Sequence, residues 1–148
     1  MKYLCATVLL ILFTLKSFCC SCIGFNSVES GLKNSDVVFV GKVLSKEIID
    51  LSDPLYPQML FQQVKLKFLV TKAYKGKVKS DTLTVITGMG KGDCGYPFEM
   101  NKNYIVYSSY YRNVDKRRKK DKRFLSTDIC QRTRSSDDKD EIIALENS

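Results

Sequence analysis

From Gln63 to Phe68 the chain changes character at every residue. Val64, Leu66 and Phe68 are apolar, Gln63, Lys65 and Lys67 are polar, and Val70 extends the apolar set. Side chains of a strand point alternately to its two faces, so a period of two predicts a strand with one dry face and one wet face. The stretch "DTLTVIT", residues 81–87, repeats the alternation with Leu83 and Val85 inward. In "SDVVFVGKVLS", residues 35–45, β-branched and aromatic residues predict a strand, and the internal Gly41 marks a bulge or sharp bend. Two more short strands are predicted at "NYIVYSSYY", residues 103–111, and "FLSTDIC", residues 124–130. Turn-forming stretches separate them: "LSDPLYP" (51–57), "KGKVKSD" (75–81) and the glycine-rich "TGMGKGDCGYPF" (87–98).

Two short segments change period. "NSVESGLK", Asn26 to Lys33, predicts a short helix with Ser27 as cap and Glu29 or Ser30 in its first turn. Near the end, "SSDDKDEIIALENS" offers a serine cap, acidic first-turn residues and an apolar face of Ile142, Ile143 and Leu145, which predicts a helix over about 137–146. No internal repeat is present. Five strands, the second long, with one or two short helices predict a mainly β fold. The expected architecture is a five-stranded Greek-key OB-fold barrel, and a β-sandwich fits the same pattern.

The N-terminus follows a different rule. Lys2 precedes the apolar run "YLCATVLLILF", which is shorter than the ~20 residues a membrane-crossing helix needs. It reads as a secretory signal peptide over 1–19, with Ser17 and Cys19 as the small residues before a cut after Cys19. An uncleaved anchor helix, or acylation of Cys19, Cys20 or Cys22 as in a lipoprotein, is the alternative reading of the same stretch. Residues 20–148 then form one secreted domain that begins at Cys20.

Four of the six cysteines remain after that cut: Cys20, Cys22, Cys94 and Cys130. An even number of thiols in an exported chain predicts two disulfides. Cys20 and Cys22 are too close to bridge one another without strain, so each reaches one of the distant pair, and two connectivities are open. Either closes long loops, worth about 4 to 5 kcal/mol per bridge on chain-entropy grounds. A four-thiolate zinc site would use the same residues, but it lacks the paired C-x-x-C spacing.

Taken in order from Cys20, the segments "CSC", "NSDVVFVGKV" (34–43), "YKG" (74–76), "DCGYPF" (93–98), "YIVYS" (104–108) and "STDIC" (126–130) resemble the N-terminal domain of the tissue inhibitors of metalloproteinases. That family belongs to the netrin-like modules, which have the OB fold. The resemblance runs from Cys20 to about Thr133. It implies bridges Cys20 to Cys94 and Cys22 to Cys130. A further cysteine that stands before "NSD" in the family is Lys33 here, and no second cysteine-rich stretch follows, so a minimal single-domain relative is expected.

The resemblance also implies a mechanism. A mature N-terminal cysteine offers its α-amine and its own carbonyl as a chelate for the open coordination position of a partner's catalytic zinc. Cys20 would cap the metal, Ser21 would enter the protease's specificity pocket, and Cys22 would fasten the segment. Asp93, Cys94, Gly95 and Tyr96 would extend the contact edge. The expected partner is a zinc metalloendopeptidase, inhibited by a monomeric protein with no cofactor and no metal of its own.

Charge adds a second candidate. The chain carries a net +8, and the segment "RNVDKRRKKDKR" holds eight basic residues against Asp115 and Asp121. Its cations are Arg112, Lys116, Arg117, Arg118, Lys119, Lys120, Lys122 and Arg123. Like-charge repulsion favours a solvated protruding loop over 112–123. As a functional element it would bind sulfated or acidic polysaccharide or an anionic membrane surface, giving a non-inhibitory extracellular or lipid-anchored binding module. Export and disulfides argue against a nucleic-acid partner, although Tyr104, Tyr107, Tyr110 and Tyr111 at strand spacing read either as half-buried sheet residues or as stacking platforms.

Catalysis is not expected. The chain has no histidine, which removes Ser-His and Cys-His activation and histidine metal sites. Asp36, Asp81, Asp93 and Glu99 stand at turns and read as caps. "GMGKGDCG" lacks the G-K-[ST] ending and following helix of a phosphate loop.

Overall fold

A computed structural model of the chain describes residues 20–22, 24–25, 27–51, 61–90, 92–113 and 122–148. The expected signal segment 1–19, residues 52–57 of the first turn with the three that follow, and residues 114–121 of the basic segment lie outside the described residues. The described residues are mainly strand, with two short helices. In chain order the elements are α1 (Val28–Asn34), β1 (Val37–Asp50), β2 (Gln62–Lys75), β3 (Thr82–Thr87), β4 (Asn103–Asn113), β5 (Lys122–Ser126), β6 (Arg134–Ser135) and α2 (Lys139–Glu146).

The strands form one sheet in the order β1-β2-β3-β5-β4-β6, and a further β1–β4 pairing closes five of them into a ring. All pairs are antiparallel except β3 with β5, where Val85 faces Leu125 and Ile86 faces Ser126. β1 makes the closure possible because its two edges serve different partners. One edge pairs with β2 along nearly the whole strand, and the other pairs with β4 from Val37 to Lys42 only. Register shifts on either side of Val40 and Gly41 bend the strand there. A side chain at Gly41 would place its Cβ 2.9 Å from the Leu69 carbonyl oxygen and 3.0 Å from the Phe39 ring, so the bend needs glycine.

The ring encloses Val37, Phe39, Val43, Val64, Leu66, Phe68, Val85, Phe98, Tyr104, Val106 and Leu125. Within it Phe39, Phe68, Phe98 and Tyr104 meet edge to face in sequence, with centroids 5.5, 5.2 and 4.8 Å apart. These are the orientations that aromatic quadrupoles favour. A second cluster lies outside the ring: Val28, Val38, Ile105, Tyr107 and Leu145, where the helices cover β1 and β4. Tyr104 and Tyr107 are therefore buried rather than half-buried, one in each cluster, whereas Tyr110 and Tyr111 are exposed.

Several expectations are refined. Ser27 caps α1 through a reciprocal pair of hydrogen bonds with Ser30. The cap of α2 is Asp138, not a serine: its carboxylate accepts from the Glu141 N–H at 3.1 Å, while Ser135 lies in β6 and its hydroxyl donates to Asp137. The inward face of α2 holds Glu141 and Leu145 with Ile142 half-buried, and Ile143 faces solvent. The predicted strand at 124–130 is paired only to Ser126 and continues as turn, and the two-residue β6 has no counterpart in the sequence pattern.

Replacing Phe68 by alanine should lower stability by about 3–5 kcal/mol. Leu69→Ala, next along the strand but on the wet face, should stay within about 1 kcal/mol. Urea unfolding followed by circular dichroism tests this: the midpoint should fall sharply for the first variant alone, with the slope unchanged.

Candidate functional site

The N-terminal segment is fastened at two points. Cys20 is bridged to Cys94, with Cα atoms 5.7 Å apart, and Cys22 is bridged to Cys130, with Cα atoms 5.0 Å apart. This is the pairing that the resemblance implies. Ser21 stands exposed between the two bridges, with Cys20 half-buried beside it.

The two anchors are neighbours for a reason that lies in the backbone. Cys94 belongs to the loop that leaves β3, and Cys130 to the turn that leaves β5. The Ile129 N–H donates to the Cys94 carbonyl at 2.9 Å, tying one to the other. Thr127 N–H likewise donates to the Ile86 carbonyl at 3.0 Å. On the second anchor, Asp128 accepts from the N–H groups of Cys130 and Gln131 at 2.8 and 2.9 Å, a local turn that presents the cysteine outward.

The Cys94 loop is rigid through close approach of its own backbone. Cys94 has a positive φ of 58°, and Gly90 and Gly92 share the left-handed region. A Cβ on Gly95 would fall 2.1 Å from the Gly88 carbonyl oxygen, so the loop's two sides touch. The Asp93 carboxylate folds back into the loop and accepts from the N–H groups of Met89 and Gly90 at 2.5 and 2.7 Å. The slight burial of this group opposes its charge. The donors Met89, Gly90 and Gly95 outweigh that, and the pKa falls below the ordinary aspartate value. Tyr96 N–H donates to the Thr87 hydroxyl at 2.9 Å, and its half-buried ring packs on Phe98 with centroids 4.6 Å apart.

The structure thus brings Cys20, Ser21, Cys22, Asp93, Cys94, Gly95, Tyr96 and Cys130 into one neighbourhood, with Gly95 buried and the exposed Asp93 organising its loop. Thr87, Asp128 and Ile129 join them. Of these, Asp128 was readable from its place two residues before a cysteine, the spacing of an Asx turn. The basic segment is elsewhere, at the end of the β4–β5 hairpin, where Arg112 pairs with Arg123 and Asn113 with Lys122. For these residues the backbone alone is described, and Lys116, Arg117, Arg118, Lys119 and Lys120 lie outside the described residues. Among the described residues no group of His, Cys, Asp and Glu side chains is placed to hold a metal ion, and no helix is long and apolar enough to cross a membrane.

No protein-family model matches the chain, and no curated protein matches it either.

Because the folded Asp93 has a depressed pKa, its contribution is present above the unfolded value of about 3.9 and is lost as pH falls through the folded value. Asp93→Asn keeps one acceptor oxygen and loses the charge. The variant should melt below wild type at pH 6, and the gap should close as pH drops below the unfolded aspartate value of about 3.9. Thermal melts across that range check it.

Proposed function

We propose that the protein is a netrin-like module that inhibits zinc metalloendopeptidases by capping the catalytic metal with the mature N-terminal Cys20. The strand order supports an OB-fold reading: five strands closed as β1-β2-β3-β5-β4-β1, with β3 and β5 parallel, is the connectivity of that small Greek-key barrel. The observation that carries the functional reading is Ser21, exposed between two bridged cysteines beside the Cys94 loop.

Released at Cys20, the chain would present an α-amine and the Cys20 carbonyl, which close a five-membered ring on a metal. The ligand pair occupies the position of the zinc-bound water that attacks peptide bonds, so hydrolysis stops without any chemistry by the inhibitor. The bridges supply preorganisation: Cys20 is held through its sulfur, and little freedom remains to be lost on binding. The Cys94 to Tyr96 stretch lies alongside as a second contact line. Exported origin follows from the same reading, since the amine exists only after the preceding residues are removed.

The test compares protein beginning at Cys20 with a form carrying one extra N-terminal alanine, assayed against a set of zinc metalloendopeptidases. The extension should raise the inhibition constant by at least about a hundredfold, the equivalent of about 2.7 kcal/mol. Inhibition should also weaken as pH falls below about 7.7, the ordinary α-amine pKa, because the protonated amine has no lone pair for the metal. Equal inhibition by the extended form, or an inhibition constant flat from pH 8 to 5, overturns the mechanism. Retention on immobilised heparin is measured on the same two forms, and binding through the basic segment would be unaffected by the extension.

A further inference from the structure

The disulfides at Cys20 and Cys22 fix two points of the N-terminal segment, but neither holds the stretch that runs on from Cys22 toward α1. The structure holds that stretch at a third point. Arg132, two residues past Cys130, donates from Nη1 to the Phe25 carbonyl at 3.1 Å. The same short stretch, 130–132, therefore grips the N-terminal segment by a sulfur at Cys22 and by a guanidinium at Phe25. Two attachments three residues apart fix orientation as well as position.

The guanidinium is itself aimed by a buried network. Its Nε and Nη2 donate to the two carboxylate oxygens of Glu141, each at 2.6 Å, a bidentate fork. Glu141 is 3% exposed, accepts from the Tyr107 hydroxyl at 2.5 Å and has Arg134 Nη1 3.5 Å from its other oxygen. From the opposite side α1 closes in. A Cβ at Gly31 would lie 2.9 Å from the Tyr107 ring and 3.1 Å from Arg132 Cδ, so the helix packs closely on both side chains.

We infer that Arg132 is a positioning residue for the Cys20 to Cys22 ridge, and that α2, through Glu141, sets the ridge's orientation from the far end of the chain. The inference rests on the inhibitory reading for its effect on a protease, but its structural half stands apart from that reading. A lysine at 132 would keep the charge but replace three nitrogens set in one plane by a single one, so it could not hold both Glu141 oxygens and the Phe25 carbonyl in the same arrangement. The ridge would then sample more orientations, and binding would have to order it again.

Amide hydrogen exchange and inhibition, measured on protein beginning at Cys20, test this with Arg132→Lys and Glu141→Gln. Exchange at Cys22, Gly24 and Phe25 should accelerate by about tenfold or more in Arg132→Lys, while Val38 and Val106 in the strands change far less, the signature of local opening. The inhibition constant should rise by roughly tenfold in parallel. Glu141→Gln keeps an acceptor for the arginine but not the charge, and should shift both readouts the same way by a smaller factor. Should Arg132→Lys not fold, Glu141→Gln carries the test by the same comparison. Acceleration by one common factor throughout the chain, or none at residues 22–25, overturns the inference. If wild-type protein inhibits no metallopeptidase, the inhibitory reading fails while the exchange comparison still decides whether Arg132 orients the ridge.

Discussion

The bend of β1 at Gly41 is the constraint on which the rest of the molecule depends. Up to Lys42 the strand is paired along both edges, to β2 and to β4, and beyond that residue it runs on with β2 alone. A straight strand would leave an open sheet with two edges. The curved one closes the ring, removes those edges and turns Val37, Phe39 and Val43 toward a shared interior. Closure also decides what the helices cover, because the outer faces of β1 and β4 meet at the seam. Val38, Ile105 and Tyr107 emerge there and would be wet without α1 and α2. The seam is thus where burying apolar surface requires both ends of the chain to come together.

That requirement explains a buried charge in a small protein. Glu141 lies under 5% exposed at the seam, and desolvating a carboxylate is costly unless it is fully partnered. Arg132 and Tyr107 supply the partners, and the phenol's own pKa is pushed upward by burial first and by the adjacent carboxylate second. Such a network contributes less to stability than an apolar replacement of equal volume could. It has a property that apolar packing lacks, which is direction: a fork-shaped donor set accepts one arrangement of its neighbours and penalises others. The helix, the strand and the N-terminal segment are related by angle and not only by proximity.

What could be read from the sequence follows the same physics. β2 was legible because one of its faces is dry and the other wet, the condition that produces a period of two. β1 and β4 announce themselves differently, as the unbroken runs "VVFV" and "YIVY", because both of their faces are covered. β6 is two residues long and can carry no period. In α2 the apolar positions suggested a face that includes Ile143, but the helix is turned so that Glu141 points inward, and no hydrophobicity rule buries a glutamate in order to satisfy an arginine nine residues earlier. The candidate site divides in the same way. Its cysteines were legible as a set because thiols in such a chain must pair, whereas Arg132 reaches a carbonyl 107 residues away and Thr87 receives the Tyr96 N–H across a loop. Contacts of side chain to backbone between residues far apart in the chain leave no mark on spacing.

The adjacency of the two bridge anchors comes from the one parallel pairing in the sheet. β3 and β5 run in the same direction, so the loop that carries Cys94 and the turn that carries Cys130 leave the ring at the same end. Had the two strands been antiparallel, their exits would lie at opposite ends of a strand about 15 to 20 Å long. Cys20 and Cys22 are separated by one residue and can reach across no more than about 7 Å of extended backbone. A Cys-x-Cys segment serves both anchors without stretching because the loop after β3 and the turn after β5 leave the ring at the same end. The Ile129 to Cys94 hydrogen bond then ties the two anchoring segments together, with Ser21 as the one residue between the cysteines that they hold. The exposed position between the bridges is therefore one residue long and has its backbone held from both sides.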